Sequence, residues 1–476
     1  MRIALVHYHL RRGGVTSVLR NQARAFLGAG EEVLAVSGEA PGGSGAEDAE
    51  CAGDFPCAVV EGLAYDAPGA ESSTPEEGEK LAGAILRSIE ARWKGGADVI
   101  HVHNPLIRKN SRLLPALRFL AARGFPLLLQ NHDFAEDFRP DVYTGGIEYP
   151  ENCHYAVINS RDYACLHRAG LKPEGLHLLP NEVNPVTAAG GLERTRYLYP
   201  VRGIRRKNLG EALLLSLFIP RGKTVTVTLP PPGGSEGPWL RWMRFAGDLE
   251  LPVEFGAGLT HSLAELYGSS CRIITTSVKE GFGFTFLEPW TAGRSLSGRR
   301  IDYVCEDFEG SGLHFDSLYS SIRIPLEYIS VHSLSGKMEK ALEGVYAAFG
   351  LEMPLRLEHM MKEEFAASGT VDFGRMDEET QESVIRILFF NKEARRDIVS
   401  LNPFLAELAG EDDGSFIEYN REVVERMYSG ERVSRILLDT CRSVPDHPVV
   451  QKLSKQMLLD LYLDPLRFSL IGTGNG

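Results

Sequence analysis

The stretch CRIITTSVKEGFGFTFLEPWTA, residues 271–292, carries the reading of this chain. Its first seven residues, centred on the β-branched IITT, predict a short buried strand; residues 284–292 predict a helix. Between them Glu280 precedes a glycine–aromatic–glycine turn (Gly281, Phe282, Gly283), and Phe284 opens the helix. Glu288 follows Glu280 by eight positions. A glycine turn between a strand and a helix start favours an anion. The first-turn amide N–H groups lack partners, and the helix dipole adds partial positive charge there. Glu280 is expected on the loop beside the anion, and Glu288 about one turn inside the helix. Two carboxylates around an anion pocket suit a ligand that bears both hydroxyls and phosphates, as a nucleotide sugar does.

Working outward, the N-terminal half alternates strands and helices. Strands are expected at residues 2–7, 32–37, 58–60, 98–103, 126–132, 155–160 and 176–179. Helices are expected at 15–27, 77–93, 111–123 and 161–168, and a Gly/Ala/acidic loop at 38–54. A break rich in Pro, Asn, Gly and Ala follows at 180–191. The pattern then restarts, with strands at 197–201, 224–229, 253–255 and 271–276, helices at 208–218, near 239 and at 262–269, and a Pro/Gly loop at 230–238. Alternation of this kind implies parallel sheets with helices on both faces. The expectation is an α/β chain of two Rossmann-like, doubly wound domains facing a central cleft, where strand C-termini bind ligands. The domains are expected at residues 1–185 and 195–335, followed by a helical C-terminal extension at 336–476 that packs partly on the first.

Length and composition agree with this division. At 476 residues the chain exceeds one ordinary core. A formal net charge of −13 argues against a general nucleic-acid binder, which needs clustered Lys and Arg. The longest apolar run, ALLLSLFIP at 212–220, is far shorter than a membrane span of roughly 20 residues, and MRIALVHYHLRR is too short an apolar core for a signal peptide. The seven cysteines are scattered, odd in number and without CxxC, which fits reduced thiols in a cytoplasm and supports no zinc site.

Further candidates sit at strand ends. Gly13 and Gly14 follow the first strand and open a helix, where they would let the backbone approach a diphosphate; an ordinary turn is the plain alternative. Arg202 and Lys207, in PVRGIRRKNLGEAL, place two cations between a strand and a helix, and Arg205 and Arg206 add to the charge. A solvated basic loop is the alternative there. His132 ends an apolar strand, beside Asp133, and can donate to a sugar hydroxyl or stabilise developing charge. Asp133, Glu136 and Asp137 read better as acids of a first helical turn. His101 and His103 share one strand face, and His7 and His9 another; without carboxylates at ligand spacing they do not make a metal site. The basic helix with Arg108, Lys109, Arg112, Arg118 and Arg123 reads as a solvated face in preference to a peripheral membrane contact. Glycosidase carboxylates face each other from separate elements, so Glu280 and Glu288 fit that chemistry poorly. GFG lacks the third glycine of a dinucleotide fingerprint, and GxxxxGK[ST] does not occur.

Taken together, these motifs resemble the family 4 type of retaining glycosyltransferase, which has the GT-B fold. The resemblance rests on Gly13-Gly14, DVIHVHN (98–104), His132-Asp133, LLPNEVN (178–184), Arg202-x4-Lys207 and Glu280-x7-Glu288, in the family's order over about residues 1–293. It implies that Glu280 contacts donor-sugar hydroxyls and that the backbone from Phe282 to Phe284, next to Gly281, holds sugar and phosphate oxygens. It implies that Glu288 holds ribose hydroxyls, that Arg202 and Lys207 neutralise the leaving diphosphate without a divalent metal, that His132 sits near the donor sugar, and that Gly13 and Gly14 lie under the phosphates. No cofactor beyond the nucleotide-diphosphate donor is implied. The partners expected are a nucleotide sugar and a hydroxyl acceptor, with a small soluble acceptor favoured over a bilayer lipid. After Gly293 the chain departs from the pattern: RSLSGRRIDYVCEDFEGSGLHFDSLY (294–319) stands where a strand and a glycine-rich loop are usual. A GT-B-type epimerase, a glycoside phosphorylase and an inactive nucleotide-sugar binder are the alternative readings.

Overall fold

Strand β1 (Arg2–His7) lies in the interior of a seven-stranded sheet in which every pairing is parallel. The others are β2 (Glu32–Ser37), β3 (Cys57–Val59), β4 (Val99–His103), β5 (Leu127–Asn131), β6 (His154–Val157) and β7 (Leu176–Leu178). A second parallel sheet contains β8 (Arg196–Arg202), β9 (Thr224–Leu229), β10 (Val253–Phe255), β11 (Ser270–Thr275), β12 (Leu296–Arg299) and β13 (Leu318–Tyr319). The strand orders are β3-β2-β1-β4-β5-β6-β7 and β10-β9-β8-β11-β12-β13. Each order reverses direction once, between β1 and β4 and between β8 and β11. That is the topology of a Rossmann-like doubly wound domain. A short antiparallel pair, β14 (Arg323–Pro325) and β15 (Thr370–Asp372), completes the strands described.

The fold comes from a computed structural model that describes residues 1–11, 13–40, 54–67, 69, 73–231, 233, 236–354, 363, 365–410 and 414–473. The expected acidic loop lies for the most part outside the described residues, as do residues 232, 234 and 235 of the Pro/Gly loop. The chain divides into two units: Met1–Glu182 with Met427–Leu463, and Val183–Arg426 with Asp464–Gly476.

Period-two alternation builds two cores in the first unit. Ala4, Val6, Ile100, Val102 and Leu129 face one side of the sheet and pack with Leu81, Ile85, Leu114 and Leu117. Those partners lie on α2 (Pro75–Arg92) and α3 (Leu113–Ala122). Ile3, Leu5, Ala35 and Leu128 face the other side and pack with Leu19, Ala23 and Phe26 of α1 (Gly14–Gly28). Leu437, Cys441 and Val444 of helix Gly430–Asp446 join that second core. Tyr462, from helix Lys455–Tyr462, donates 2.7 Å to Asp162 of α4 (Ser160–Arg168).

The second unit departs from expectation after Gly293. A strand is present: β12 pairs in parallel with β11. It is followed by a helix, Asp302–Gly310. Its sequence, LSGR, hides it, because Ser, Gly and Arg lack the β-branched signature of a strand. Gly298 adopts φ +130, and a Cβ there would lie 2.0 Å from the Thr275 carbonyl oxygen, so the close strand approach demands glycine. What is replaced is the glycine-rich loop, by Arg299, Arg300 and Ile301.

Arg299 then explains how this half holds together. Its guanidinium donates to Glu211 at 2.9 Å through Nε and to Asp372 at 2.8 Å through Nη1, joining helix Leu209–Leu215 to β12 and β15. Tyr319 adds a hydrogen bond to Glu211 at 2.8 Å. Glu211 is fully enclosed and Arg299 nearly so. Removing one partner of such a buried pair leaves an uncompensated charge. Arg299→Met is therefore expected to lose about 3–5 kcal/mol of unfolding free energy, read by urea denaturation.

Candidate functional site

In the second unit the candidate residues gather where the strand order reverses. Arg202 ends β8, and Lys207 follows on a 3-10 turn, Arg205–Lys207. Glu280 follows β11. β8 and β11 are neighbours in the sheet, so both loops leave the same sheet end.

The two loops are sewn together. Tyr199 donates to the Lys207 carbonyl oxygen at 2.9 Å and shares a hydrogen bond of 2.7 Å with Ser277. Thr276 donates to the carbonyl oxygens of Lys207 and Asn208 at 3.0 and 3.1 Å. The Val278 amide donates to Arg206 O at 3.0 Å, and Arg206 Nη1 donates to Lys279 O at 3.0 Å. The result is a direct contact between Lys207 Nζ and Glu280 Oε1, with Arg206 at 3.6 Å from the other carboxylate oxygen. Burial alone would raise the Glu280 carboxyl, but Lys207 and Arg206 reverse that and hold it below its ordinary range. Glu280 is therefore an anion at neutral pH.

The three arginines of this loop differ in use. Arg205 is bound by Glu378 at 2.6 and 2.9 Å and by Thr473 O at 2.9 Å. Arg206 serves Glu280 and Lys279. Arg202, half-buried, has no side-chain hydrogen bond or ion pair among the described residues.

Glu288 corrects the expected helix. Residues 284–292 form a 3-10 turn, Phe284–Phe286, and then a short helix, Glu288–Thr291. Glu288 is thus the first helical residue, not one turn inside. Pro289, which has no N–H to give an earlier carbonyl, is placed where a helix must start. Gly283 precedes the 3-10 turn at φ +92, where a Cβ would meet Phe286 and Val304 at 2.8 Å, so glycine is required. Phe282 is buried edge-on against Phe284 and Phe308, at 5.2 and 5.6 Å between centroids, and leaves its backbone to the loop with Gly281. The Glu288 carboxyl has no hydrogen-bond partner among the described residues, and burial pushes it up to about 7 against the pull of Lys207.

In the first unit, Gly13 caps α1 and Gly14 is its first residue. A Cβ at Gly14 would meet nothing within 4 Å, so the space over this helix start is open. His132 lies one residue past β5. Its backbone N–H and that of Asp133 donate to Asn104 Oδ1 at 2.9 and 3.2 Å. Burial lowers the His132 imidazole to about 4 despite Asp133, so the ring is neutral. Asp133 instead lies 3.6 Å from Arg139, Asp137 3.3 Å from Arg161, and Glu136 is buried against Tyr149 at 2.5 Å.

Two residues absent from the sequence-based set matter here. Asn104 closes DVIHVHN with φ +54, a conformation Asn tolerates, and a polar residue ending a strand was the available signal. Tyr303, from the divergent segment, brackets the Glu280 backbone: its hydroxyl donates to Glu280 O and accepts from Glu280 N–H. No local pattern could reveal that contact across 23 positions.

No protein-family model matches the chain. It is 24% identical over 380 residues, 72% of each chain, to the mannosylglucosyl-3-phosphoglycerate synthase of Petrotoga mobilis. Its structure is similar to that of Anabaena HepE in complex with UDP and glucose, at 12% identity and TM-score 0.54, covering 93% of this chain and 100% of that one. A Rickettsia africae glycosyltransferase matches with TM-score 0.50 at 12% identity, covering 93% and 98%. The pneumococcal O-GlcNAc transferase GtfA with UDP and GlcNAc matches with TM-score 0.50 at 11% identity, covering 93% and 99%. These likenesses show the fold: two Rossmann-like domains of the GT-B type with a helical C-terminal part.

The Glu288 carboxyl gives a pH-dependent signature. Its folded value, about 7, lies above the ordinary 4.5, so the folded state binds the extra proton between those limits. Stability from this group is present below about pH 4.5 and is lost as pH rises through about 7. Glu288→Gln is expected to gain stability over wild type progressively from pH 5 to 8, read by urea titrations at each pH.

Proposed function

We propose that this chain is a retaining glycosyltransferase that moves a hexosyl unit from a nucleoside-diphosphate sugar to a hydroxyl acceptor without a divalent metal. The observation that carries this reading is the Glu280–Lys207 contact at the topological switch of the second sheet, with Glu288 left unpaired nearby. An anionic carboxylate accepts hydrogen bonds from sugar hydroxyls. A cation beside it meets the charge that grows on the departing diphosphate oxygen.

The reaction balances with these groups. The bond from the anomeric carbon to the diphosphate oxygen breaks, and the acceptor oxygen bonds the same face of that carbon. The acceptor proton passes to the leaving phosphate, so no separate protein base is needed. Lys207, with the unengaged Arg202, stabilises the leaving group in place of a metal ion. Glu288 takes the ribose hydroxyls, which favours its ionised form. Backbone from Gly281 to Phe284 faces the sugar and phosphate oxygens. In the first unit His132 meets the donor sugar, and Gly13 and Gly14 give the phosphates close approach to the α1 amides.

The acceptor is proposed to be small, soluble and anionic. The Petrotoga relative is a synthase of mannosylglucosyl-3-phosphoglycerate, a product of that kind. A net charge of −13 opposes binding to an anionic bilayer. Among the described residues no helix is long and apolar enough to cross a membrane. The six described cysteines are unpaired, in keeping with a reducing cytoplasm.

The test is incubation with UDP-, GDP- and ADP-hexoses and a glucosylated phosphoglycerate in EDTA, with nucleoside diphosphate release measured and the product anomer assigned by NMR. Transfer with retained configuration is expected. Inversion, or loss of turnover in EDTA restored by a divalent ion, overturns the mechanism. Lys207→Met and Glu280→Gln are expected to lower kcat by about 10²–10³-fold while the fold persists.

A further inference from the structure

Four imidazoles gather beside the strand-order reversal of the first unit. His7 ends β1, His101 and His103 lie on β4, and His132 follows β5. All four are buried, and His101 and His103 are fully enclosed. His101 and His103 stack at 4.5 Å between centroids, and His103 and His132 at 5.5 Å. His103 Nδ1 and His132 Nε2 are 3.2 Å apart and share one proton between them. The proposed function leaves His103 without a task.

We propose that His103 is a positioning residue: it holds His132 in the Nδ1–H tautomer, so that His132 offers an N–H donor, and not a lone pair, to an oxygen of the donor sugar. The proposal rests on the glycosyl-transfer reading only for the identity of that oxygen. The tautomer itself follows from hydrogen-bond bookkeeping around the cluster.

His7 is fixed first. Its Nδ1 lies 3.2 Å from the His103 carbonyl oxygen, which can only accept, so His7 carries its proton on Nδ1. His101 Nε2 lies 2.9 Å from Gln130 Oε1 and donates to it, and His101 Nδ1 is an enclosed lone pair with no partner among the described residues. His103 Nε2 is likewise enclosed and unpartnered among them. An enclosed N–H without an acceptor is rarer and more costly than an enclosed lone pair. The His103 proton therefore sits on Nδ1 and is donated to His132 Nε2. A neutral imidazole has one proton, so that of His132 is on Nδ1, the ring nitrogen left for a ligand. Burial keeps every ring neutral, which preserves the one-way order of donors.

The ring is also held at its backbone, because Asn104 Oδ1 accepts from the His132 N–H. Two neighbouring residues of DVIHVHN thus fix His132 in position and in proton placement.

Two-bond nitrogen–proton NMR of the full chain labelled on histidine rings tests this directly, with the His132 signals identified by their loss in His132→Gln. Wild type is expected to show His132 protonated on Nδ1. His103→Leu removes the donor and is expected to move that proton to Nε2. His103→Asn places an amide N–H near the position of Nδ1 and is expected to restore the wild-type pattern. In turnover, His103→Leu should lower kcat by about tenfold or more with the donor KM nearly unchanged, and His103→Asn should recover most of it. His132 protonated on Nε2 in wild type, or on Nδ1 in His103→Leu, overturns the proposal. Should His103→Leu fail to fold, the wild-type spectrum still decides. Should no glycosyl transfer be found, the functional reading fails while the tautomer is still measured.

Discussion

Parallel strand pairing, reversed once in each sheet, is the constraint on which the rest depends. A right-handed crossover sends the chain over one face of a parallel sheet, and building outward from a central strand in both directions puts helices on both faces. At the reversal, the loops after two adjacent strands leave toward opposite faces and leave a crevice. In the second unit that place receives Lys207 and Glu280; in the first it receives His7, His103 and, one strand further, His132. The site residues are far apart in sequence because adjacent strands at the reversal are not consecutive in the chain.

The two units treat their polar groups in opposite ways. In the second, burial is overcome by pairing: Glu280 stays ionised because Lys207 and Arg206 surround it, and Glu211 is held by Arg299. In the first, burial prevails and the imidazoles are neutral. Glu288 falls between these cases, with too little compensation from Lys207 to keep its carboxyl in the ordinary range.

Much of the fold was legible in the sequence because central parallel strands are apolar or β-branched runs; RIALVH, apolar between its ends, and TVTVTL, β-branched at five positions, could be little else. Glu280 and Lys207 were legible because each follows such a run closely. LSGR was not, since its strand conformation is imposed by β11 alongside it and by room made at Gly298. Nor was the broken helix at 284–292, where the apolar periodicity of FTFLEPW outweighed Pro289, the residue that sets the true start. Asn104, Tyr199 and Tyr303 act by hydrogen bonds to distant backbone, and no local pattern announces such bonds. Gly13 and Gly14 gave the reverse case: they were noticed as a pair, although the backbone here does not require glycine at either.

The route of the chain has a consequence for its synthesis. The first unit borrows Leu437, Cys441 and Val444 for the core beneath α1, and Tyr462 for the hydrogen bond to Asp162. A ribosome delivers those residues only after all of Val183–Arg426 has emerged. The unit that starts first therefore waits for most of the chain, and the part of its sheet face beside α1 stays uncovered for most of translation. With elongation at about 5–20 residues per second, that exposure lasts on the order of ten seconds or more. A nascent chain in that interval carries, exposed, the apolar surface that Leu437, Cys441 and Val444 later cover, the kind of surface on which a chaperone acts.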